Sequence, residues 1–312
     1  MNHLFCIGEA IVDFIPAGEA PLLAPMPGGA TANTAVAAAK LGVPSSFIGM
    51  VGDDGFGRIM IDVMKGYGVD TTFMTMTGSA CTTMSFVTLT PDGDRSFTFA
   101  RKPGADMLLS ECDIPEELFS SGDILHFGSI GLIPGSPSKE AHLKALRNAK
   151  DAGILVSYDP NVRLPLWDDH EELKMTILEF LPFADIVKVS DDELDFIFGT
   201  SDEKTAAETC FKEGAGVLFV TRGKNGAAVY TPDFLAETEG IPVAAVDTTG
   251  AGDAFNGAML SRFIGKPLHD SLSPDKLEET LVFANKAGSI TVTKKGAMAG
   301  SPTPEELELF RY

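Results

Sequence analysis

Short apolar segments alternate with segments of helical pattern along most of the chain. The apolar segments have the length of buried strands, and they lie at residues 4–7, 46–51, 124–127, 154–158, 186–189 and 217–220. Helical patterns occupy residues 32–41, 56–65 and 139–149, and one follows each of the last three strands. This alternation predicts an α/β fold, with a mostly parallel central sheet flanked by helices on both faces.

One region departs from this alternation. Residues 81–90 and 95–100 are rich in β-prone side chains, and Pro91-Asp92-Gly93-Asp94 separates them. Two β-prone runs joined by a turn of this composition predict a hairpin, and residues 11–15 could pair with it. Because no linker or repeat interrupts the chain, we expect one domain over residues 1–312. Its small β-sheet lid would comprise residues 11–27 and 72–104.

Composition and charge narrow the possible partners. The chain has 24 Lys plus Arg against 44 Asp plus Glu, a net charge of −20, so neither a nucleic acid nor an anionic membrane is an expected partner. The first residues carry no basic leader followed by a long apolar run, and no apolar run reaches about 18 residues, so we expect neither a signal peptide nor a membrane span. The four cysteines have no paired spacing, which favours free thiols in the cytoplasm. A local pocket can still bind a small anion.

The first glycine-rich element is Pro27-Gly28-Gly29-Ala30-Thr31-Ala32-Asn33-Thr34-Ala35. Two glycines at a helix entrance let a ligand approach the backbone closely. Asn33 lies about one turn into the helix, and its amide can both donate and accept hydrogen bonds, which suits a ligand with hydroxyl groups. A tight turn followed by a capping Asn is the structural alternative.

The second glycine-rich element is Asp247-Thr248-Thr249-Gly250-Ala251-Gly252-Asp253-Ala254-Phe255. It follows a predicted strand at residues 243–246 and opens a predicted helix at 254–264. Backbone amides of Gly250, Ala251 and Gly252 at a helix start would bind an anion. Asp253 could then accept a proton from an attacking hydroxyl, as phosphoryl transfer requires. We expect the helix dipole to keep Asp253 ionised; a favourable acid in a first helical turn is the alternative.

These two elements resemble the signatures of the ribokinase-like (PfkB) carbohydrate kinases. The first signature continues through Gly49-Met50-Val51-Gly52-Asp53-Asp54-Gly55-Phe56-Gly57, and the second matches almost letter for letter. The resemblance spans nearly the full chain. It implies a ribokinase-like fold with a central mostly parallel sheet, flanking helices and a small β lid, and it implies ATP and Mg²⁺ as cofactors.

The resemblance also implies residue roles on the acceptor side. Asp253 matches the catalytic base, and Gly250, Ala251 and Gly252 match the anion hole. The matching sugar contacts are Asp13, Gly28, Gly29, Asn33, Arg101 and Arg163. For the two arginines, a surface salt bridge is the alternative.

On the nucleotide side, the positions that match are Lys188, Ser190, Glu193, Thr221, Gly223, Gly226 and Asn285. Glu193 matches an acid that organises magnesium indirectly, although the family usually has Asn where this chain has Ser190. Arg222 and Lys224 lie in the same nucleotide-side loop and are further basic candidates. Asp247 and Thr249, together with the segment Lys295-Gly296-Ala297, match a loop for a monovalent cation, which implies K⁺.

The segment Arg95–Asp106 is similar to fructokinases, and Asp159-Pro160-Asn161-Val162-Arg163 is similar to both fructokinases and 2-keto-3-deoxygluconate kinases. This favours transfer from ATP to the 6-hydroxyl of D-fructose. A 2-keto-3-deoxygluconate kinase is the second reading, and a ribokinase or nucleoside kinase the third. A catalytically silent sugar or nucleotide sensor is the alternative outside enzymes. Relatives also imply a homodimer through the lid.

Overall fold

The computed structural model describes residues 2–17, 22–89 and 95–311. Its strands fall into one large and one small sheet. In chain order they are β1 (Leu4–Ile7), β2 (Ile11–Pro16), β3 (Leu23–Gly28), β4 (Ser45–Gly52), β5 (Val69–Asp70), β6 (Met74–Thr77), β7 (Met84–Leu89), β8 (Arg95–Ala100), β9 (Ile124–Gly128), β10 (Leu155–Asp159), β11 (Ile186–Ser190), β12 (Val217–Thr221), β13 (Ala227–Tyr230) and β14 (Leu235–Thr238).

The helices are also spread along the chain. They are α1 (Ala30–Lys40), α2 (Gly55–Gly66), α3 (Pro137–Asp151), α4 (His170–Phe180), α5 (Leu194–Phe198), α6 (Glu203–Lys212), α7 (Ala251–Ser261), α8 (Leu268–Ser271), α9 (Pro274–Thr291), α10 (Ala297–Gly300) and α11 (Pro304–Leu309).

The large sheet has the strand order β14-β13-β12-β11-β10-β9-β1-β4-β5, with β6 also paired to β4. Pairings from β12 through β4 and on to β5 and β6 are parallel, whereas β13 and β14 are antiparallel additions. Apolar side chains cover both faces. One core includes residues of α1, α7 and α9, and the other includes residues of α3, α4 and α6. The predicted ribokinase-like architecture is therefore confirmed.

The small sheet has the order β3-β2-β7-β8. Strands β7 and β8 pair antiparallel, which confirms the predicted hairpin. Strand β2 pairs parallel to β7, and β3 extends the sheet on the other side of β2. The predicted turn at residues 91–94 lies outside the described residues. The first strand of the small sheet, β2, begins soon after β1 ends, so the small sheet lies beside the carboxyl edge of the large sheet.

Two local predictions are wrong. Residues 243–246 form no strand: Val246 N donates to Val292 O at 2.7 Å, so the segment lies against the end of α9 instead of joining a sheet. Strand β12 is followed by a single 3₁₀ turn (Gly223–Asn225) and the antiparallel strands β13 and β14, and not by an α-helix. Gly226, with a φ of 101°, permits this reversal because its conformation is unfavourable for a residue with a side chain.

The backbones of helices α1 and α7 lie close to each other. A Cβ added to Gly257 would stand 2.7 Å from Ala37 Cβ and 2.8 Å from Ala38 N. The facing surfaces carry small side chains, among them Ala35 and Ala258, both fully buried. This packing aligns the first turns of the two helices. Among the described residues, no helix is both long and apolar enough to cross a membrane.

Candidate active site

The first turns of α1 and α7 meet at the carboxyl edge of the large sheet. Asn33 Nδ2 donates to Asp253 Oδ2 at 2.8 Å, joining residues 220 positions apart. Asn33 is only 4% exposed, and its Oδ1 has no hydrogen-bond partner among the described residues. That oxygen is therefore left to accept a hydrogen bond from a ligand hydroxyl.

The start of α7 has the geometry that a backbone anion site requires. Gly250 caps the helix with a φ of 81°, in the left-handed region. A Cβ there would also lie 2.3 Å from Ala297 Cβ, so both conformation and space require glycine. The Gly252 amide belongs to the first turn and has no helical acceptor, and the Ala251 amide makes only a long, 3.5 Å hydrogen bond to Thr248 O. The nearest heavy atom to a Cβ on Gly252 would be Lys188 Nζ, at 3.2 Å.

Asp253 has a strongly perturbed acidity. Burial raises its pKa to about 7, and the negative charge of Asp159 adds to the rise. The hydrogen bond from Asn33 and the charges of Lys188 and Arg163 oppose it. The expectation that the helix dipole keeps Asp253 fully ionised is wrong, because desolvation outweighs the dipole here. A carboxylate with a pKa near neutrality is well matched to accept a proton.

Asp13 lies on β2 above this site, where Gly28 leaves room for it. A Cβ on Gly28 would stand 2.3 Å from Asp13 Oδ2, and Gly28 is paired with Ile11 in the same sheet. Burial raises the pKa of Asp13, while the positive charge of Arg163 lowers it. The positive charge of Arg163 also lowers the pKa of Asp253.

Gly29 and the start of α1 are held by a residue that sequence reasoning missed. Glu9 is 1% exposed. Its Oε1 accepts from Ala30 N at 2.6 Å, and its Oε2 accepts from Thr31 Oγ1 at 3.3 Å. A Cβ on Gly29 would stand 2.4 Å from Glu9 O. An acid directly after the first strand and its glycine is the signal that could have indicated this role.

Arg101 is buried in an ion pair rather than lying on the surface. Its Nε and Nη2 donate to Asp106 Oδ2 at 2.8 and 2.6 Å, and Nη2 also donates to Ile130 O. Asp106 in turn accepts from Thr83 Oγ1. Of the guanidinium nitrogens, Nη1 is buried without a partner among the described residues. The surface salt bridge considered for Arg101 is therefore wrong. Arg163 is exposed and donates to Val162 O.

Lys188 and Glu193 form the opposite wall of the site. Lys188 Nζ lies 3.0 Å from Asp159 Oδ2, with both side chains almost fully buried. Glu193 Oε1 accepts from Val162 N at 2.6 Å, and its Oε2 accepts from Ser190 N at 2.8 Å. Burial, followed by the charge of Asp159, raises the pKa of Glu193. Ser190 thus stands at the start of the turn that Glu193 closes.

The predicted nucleotide-side residues also come together. Thr221 ends β12, and Gly223 (φ 53°) and Gly226 form the next turn. A Cβ on Gly226 would lie 1.9 Å from Thr238 O, so this turn packs against the chain after β14. Asn285, on α9, donates to Glu239 O at 2.9 Å and ties that same segment to the helix.

Arg222 is not available for a nucleotide phosphate. Its guanidinium makes two 2.6 Å hydrogen bonds to the carboxylate of Glu203 and a 2.6 Å ion pair with Glu237. These partners raise the pKa of Arg222 further above its ordinary value. Arg222 therefore fastens α6 and β14 to β12. Lys224 lies in the same turn and is exposed.

The loop before the anion site is ordered by Asp247. Its Oδ1 accepts from Thr249 N and its Oδ2 accepts from Gly296 N, each at 3.0 Å. This contact joins the segment around residue 296 to the loop that leads into Gly250. The two segments predicted to form a cation loop are thus adjacent.

A divalent metal has few protein ligands here. Within residues 2–17, 22–89 and 95–311, no group of three His, Cys, Asp or Glu side chains is arranged to hold a metal ion. Both oxygens of Glu193 already accept backbone amides. A divalent cation bound here would therefore need most of its ligands from other groups, such as phosphates and water.

Comparison with known proteins agrees with this geometry. Residues 1–304 match the model of the pfkB family of carbohydrate kinases. Fructokinase-1 of Oryza sativa subsp. japonica is 44% identical over 308 residues, which cover 96% of this chain and 94% of that protein. The chain therefore belongs to the pfkB family of carbohydrate kinases.

Solved structures give the same result. A Vibrio cholerae O395 fructokinase bound to fructose, ADP and calcium superposes with a TM-score of 0.91 at 37% identity, covering 99% of each chain. An aminoimidazole riboside kinase from Salmonella enterica superposes with a TM-score of 0.88 at 34% identity, covering 98% of this chain and 99% of that one.

Substituting Gly28→Ala should weaken sugar binding. The new Cβ would displace the Asp13 carboxylate, and a hydrogen bond to a charged group is worth roughly 1.5–3 kcal/mol, so KM for the sugar should rise about tenfold or more. The matched control is Gly66→Ala at the end of α2, where an added Cβ meets nothing within 4 Å. Steady-state kinetics measure both; an unchanged KM in Gly28→Ala would show that Asp13 does not contact the sugar.

Proposed function

We propose that the chain is an ATP-dependent fructokinase that phosphorylates D-fructose at its 6-hydroxyl. The observation that carries this proposal is the Asp253 carboxylate, held by Asn33 beside the amides at the start of α7. An anion site next to a base of near-neutral pKa is what transfer of a phosphoryl group to an alcohol requires. The fructokinase names of relatives at 40–44% identity support fructose as the acceptor.

In the proposed reaction, Asp253 accepts the proton of the sugar hydroxyl as its oxygen attacks the γ-phosphorus of ATP. The new bond joins the sugar oxygen to phosphorus, the bond from phosphorus to the β–γ bridging oxygen breaks, and ADP leaves with those electrons. The amides of Gly250, Ala251 and Gly252 stabilise the charge on the transferred group. Asn33 orients the carboxylate through its 2.8 Å hydrogen bond.

We assign sugar recognition to the residues around this base. Asp13 would accept hydroxyl hydrogens, and Asn33 Oδ1 is free to do the same. Gly28 and Gly29 permit a close approach to the backbone, and Arg163 and Arg101 Nη1 supply donors. The small sheet, together with residues 72–83 and 101–104, would act as the lid of a single kinase domain. Closure of the lid would exclude water and suppress hydrolysis of ATP.

We assign the nucleotide to the wall made by β11, β12 and α9. Lys188 would neutralise phosphate charge, and the turn from Thr221 through Gly226 would border the nucleotide with Asn285. A divalent cation, Mg²⁺ in the proposal, would shield the phosphates, with Glu193 and Ser190 positioned near its water ligands. Solved relatives contain fructose, ADP and calcium in one case and ATP with Mg²⁺ in another.

A panel of acceptors tests the proposal directly. ATP turnover should be fastest with fructose among fructose, 2-keto-3-deoxygluconate, ribose, tagatose 6-phosphate, aminoimidazole riboside and adenosine. Asp253→Asn should lower kcat for fructose by about 10²–10⁴-fold, the usual contribution of a general base, while ATP binding is retained. Faster turnover of another acceptor would reassign the substrate. Near wild-type turnover in Asp253→Asn would contradict the role of Asp253, and no turnover with any sugar would favour a sensor.

The activity should depend on the protonation of Asp253. Protonated Asp253 cannot accept the hydroxyl proton, so with a pKa of about 7 kcat/KM should fall about tenfold per pH unit on the acid side. Asn33→Ala removes the hydrogen bond that lowers this pKa, so its acid limb should move to higher pH. Comparing the two profiles cancels the ionisation of ATP itself. Coincident acid limbs would contradict this account.

We further propose that K⁺ stimulates the enzyme through the loop of Asp247 and Thr249. This loop leads directly into Gly250, and Asp247 joins it to Gly296. A cation there would fix the first amides of α7. Initial rates in potassium chloride should exceed those in tetramethylammonium chloride at equal ionic strength. Equal rates would remove K⁺ from the mechanism.

We also propose a homodimer formed through the small sheet. Leu22 is 63% exposed and Leu23, at the start of the edge strand β3, is 39% exposed, and an edge strand of this kind requires cover. Light scattering at micromolar concentration should give twice 33.0 kDa; a monomer mass would contradict the dimer.

The four cysteines are free in the structure, which supports a cytoplasmic location.

A further inference from the structure

A buried ion pair lies directly behind the anion site. Asp159 ends β10 and Lys188 lies on the adjacent strand β11, and Asp159 Oδ2 is 3.0 Å from Lys188 Nζ. Asp159 is 3% exposed and Lys188 6%. Two charges removed from water lose hydration that their attraction only partly offsets. A pair in this place therefore calls for a role besides stability.

Every bond of Asp159 connects an element of the site. Its Oδ1 accepts from Asn161 N at 3.1 Å and shapes the loop that leads to Arg163. Its Oδ2 accepts from Lys188 Nζ and, at 2.7 Å, from Asn256 Nδ2. Asn256 lies on α7, less than one turn after Asp253. Asp159 thus links β10, β11 and the helix that starts at the anion site.

The Lys188 ammonium is directed at the anion site. It is the nearest heavy atom to the space that a Cβ of Gly252 would occupy, at 3.2 Å. Burial acts to lower the pKa of Lys188, but the charges of Asp159 and Glu193 outweigh burial and raise it. Lys188 therefore carries its positive charge at neutral pH, although it lies in the protein interior.

We propose that Asp159 is a positioning residue for phosphoryl transfer, which holds the Lys188 ammonium beside Gly252 where charge develops on the transferred group. Asp159 acts through Lys188 and needs no contact with either substrate. The inference rests on the proposed phosphotransferase activity. It assigns a function to the first residue of the segment Asp159–Arg163, of which sequence analysis singled out only Arg163.

The proposal has a second consequence for the base. The groups that act on Asp253 are the Asn33 amide, the carboxylate of Asp159, and the cations Lys188 and Arg163. Asp159 contributes the unfavourable negative charge in this set. Neutralising Asp159 should therefore ease the ionisation of Asp253 and move the acid limb of the rate profile to lower pH.

Asp159→Asn is the first test, because the amide keeps the shape and can still accept from Asn161 N. It cannot accept from Lys188 Nζ with the nitrogen that replaces Oδ2. We expect kcat to fall by about 10- to 100-fold, since small misplacements of a charged group have effects of this size. KM for fructose should change little, and the acid limb should shift to lower pH. The shift of that limb reports the charge of Asp159 beside Asp253, and the action through Lys188 is read from kcat in the double-mutant cycle.

A double-mutant cycle with Lys188→Met separates the two roles. If Asp159 acts through Lys188, Lys188→Met with Asp159→Asn should be no slower than Lys188→Met alone. The double variant removes both charges of the Asp159–Lys188 pair, so neither is left buried without the other, and it should fold even if Asp159→Asn is unstable. The inference would be overturned if Asp159→Asn slowed the enzyme by the same factor in both backgrounds.

Asp185→Asn is the matched control. Asp185 also bridges β10 and β11, since its Oδ2 accepts from Val156 N at 2.8 Å, but it lies at the opposite edge of the sheet. Its kcat should stay at the wild-type value. The cycle is run with whichever sugar the wild type phosphorylates. If the wild type is inactive with every sugar, both the proposed kinase function and the positioning role are overturned. If the wild type is active but Asp159→Asn slows it by the same factor with Lys188 and with Met at position 188, only the positioning role is overturned.

Discussion

The near-backbone contact between α1 and α7 fixes the geometry of the whole site. Gly257 lets α7 approach Ala37 and Ala38 to within van der Waals distance. The first turns of the two helices therefore lie next to each other. Asn33 and Asp253, far apart in sequence, are held 2.8 Å apart as a result. A larger side chain at Gly257 would push the two helices apart, and would therefore move Asn33 away from Asp253 and from the start of α7.

Charge is distributed in a way that the net value of −20 conceals. Acidic groups around the site are buried and satisfied: Glu9 accepts the amide of Ala30, and Glu193 accepts two backbone amides. Lys188 is a buried cation beside the start of α7, where backbone amides add positive potential. Burial, together with the charge of Asp159, raises the pKa of Asp253. The low polarity that would strengthen anion binding at the start of α7 thus also changes the acidity of Asp253.

The mostly parallel central sheet, the hairpin and the two glycine-rich elements could be predicted from the sequence, because apolar runs and glycines at helix starts are local signals. The roles of Glu9 and Asp159 were missed, since their partners lie on other elements and no local pattern reveals burial. The pKa of Asp253 was misjudged for the same reason: the dipole is a property of one helix, whereas desolvation depends on the packing around it. The segment at residues 243–246 was predicted to be a strand because a short apolar run does not reveal whether it pairs in a sheet; residues 244–246 are exposed in the structure.

A crystal structure of the chain with fructose and a non-hydrolysable ATP analogue would test the central claim most directly. The account predicts that the fructose 6-oxygen lies within hydrogen-bond distance of an Asp253 carboxylate oxygen. It also predicts that the γ-phosphate lies against the amides of Gly250–Gly252 and beside Lys188 Nζ. A bound sugar whose hydroxyl groups do not reach Asp253, or a γ-phosphate held away from the start of α7, would contradict it.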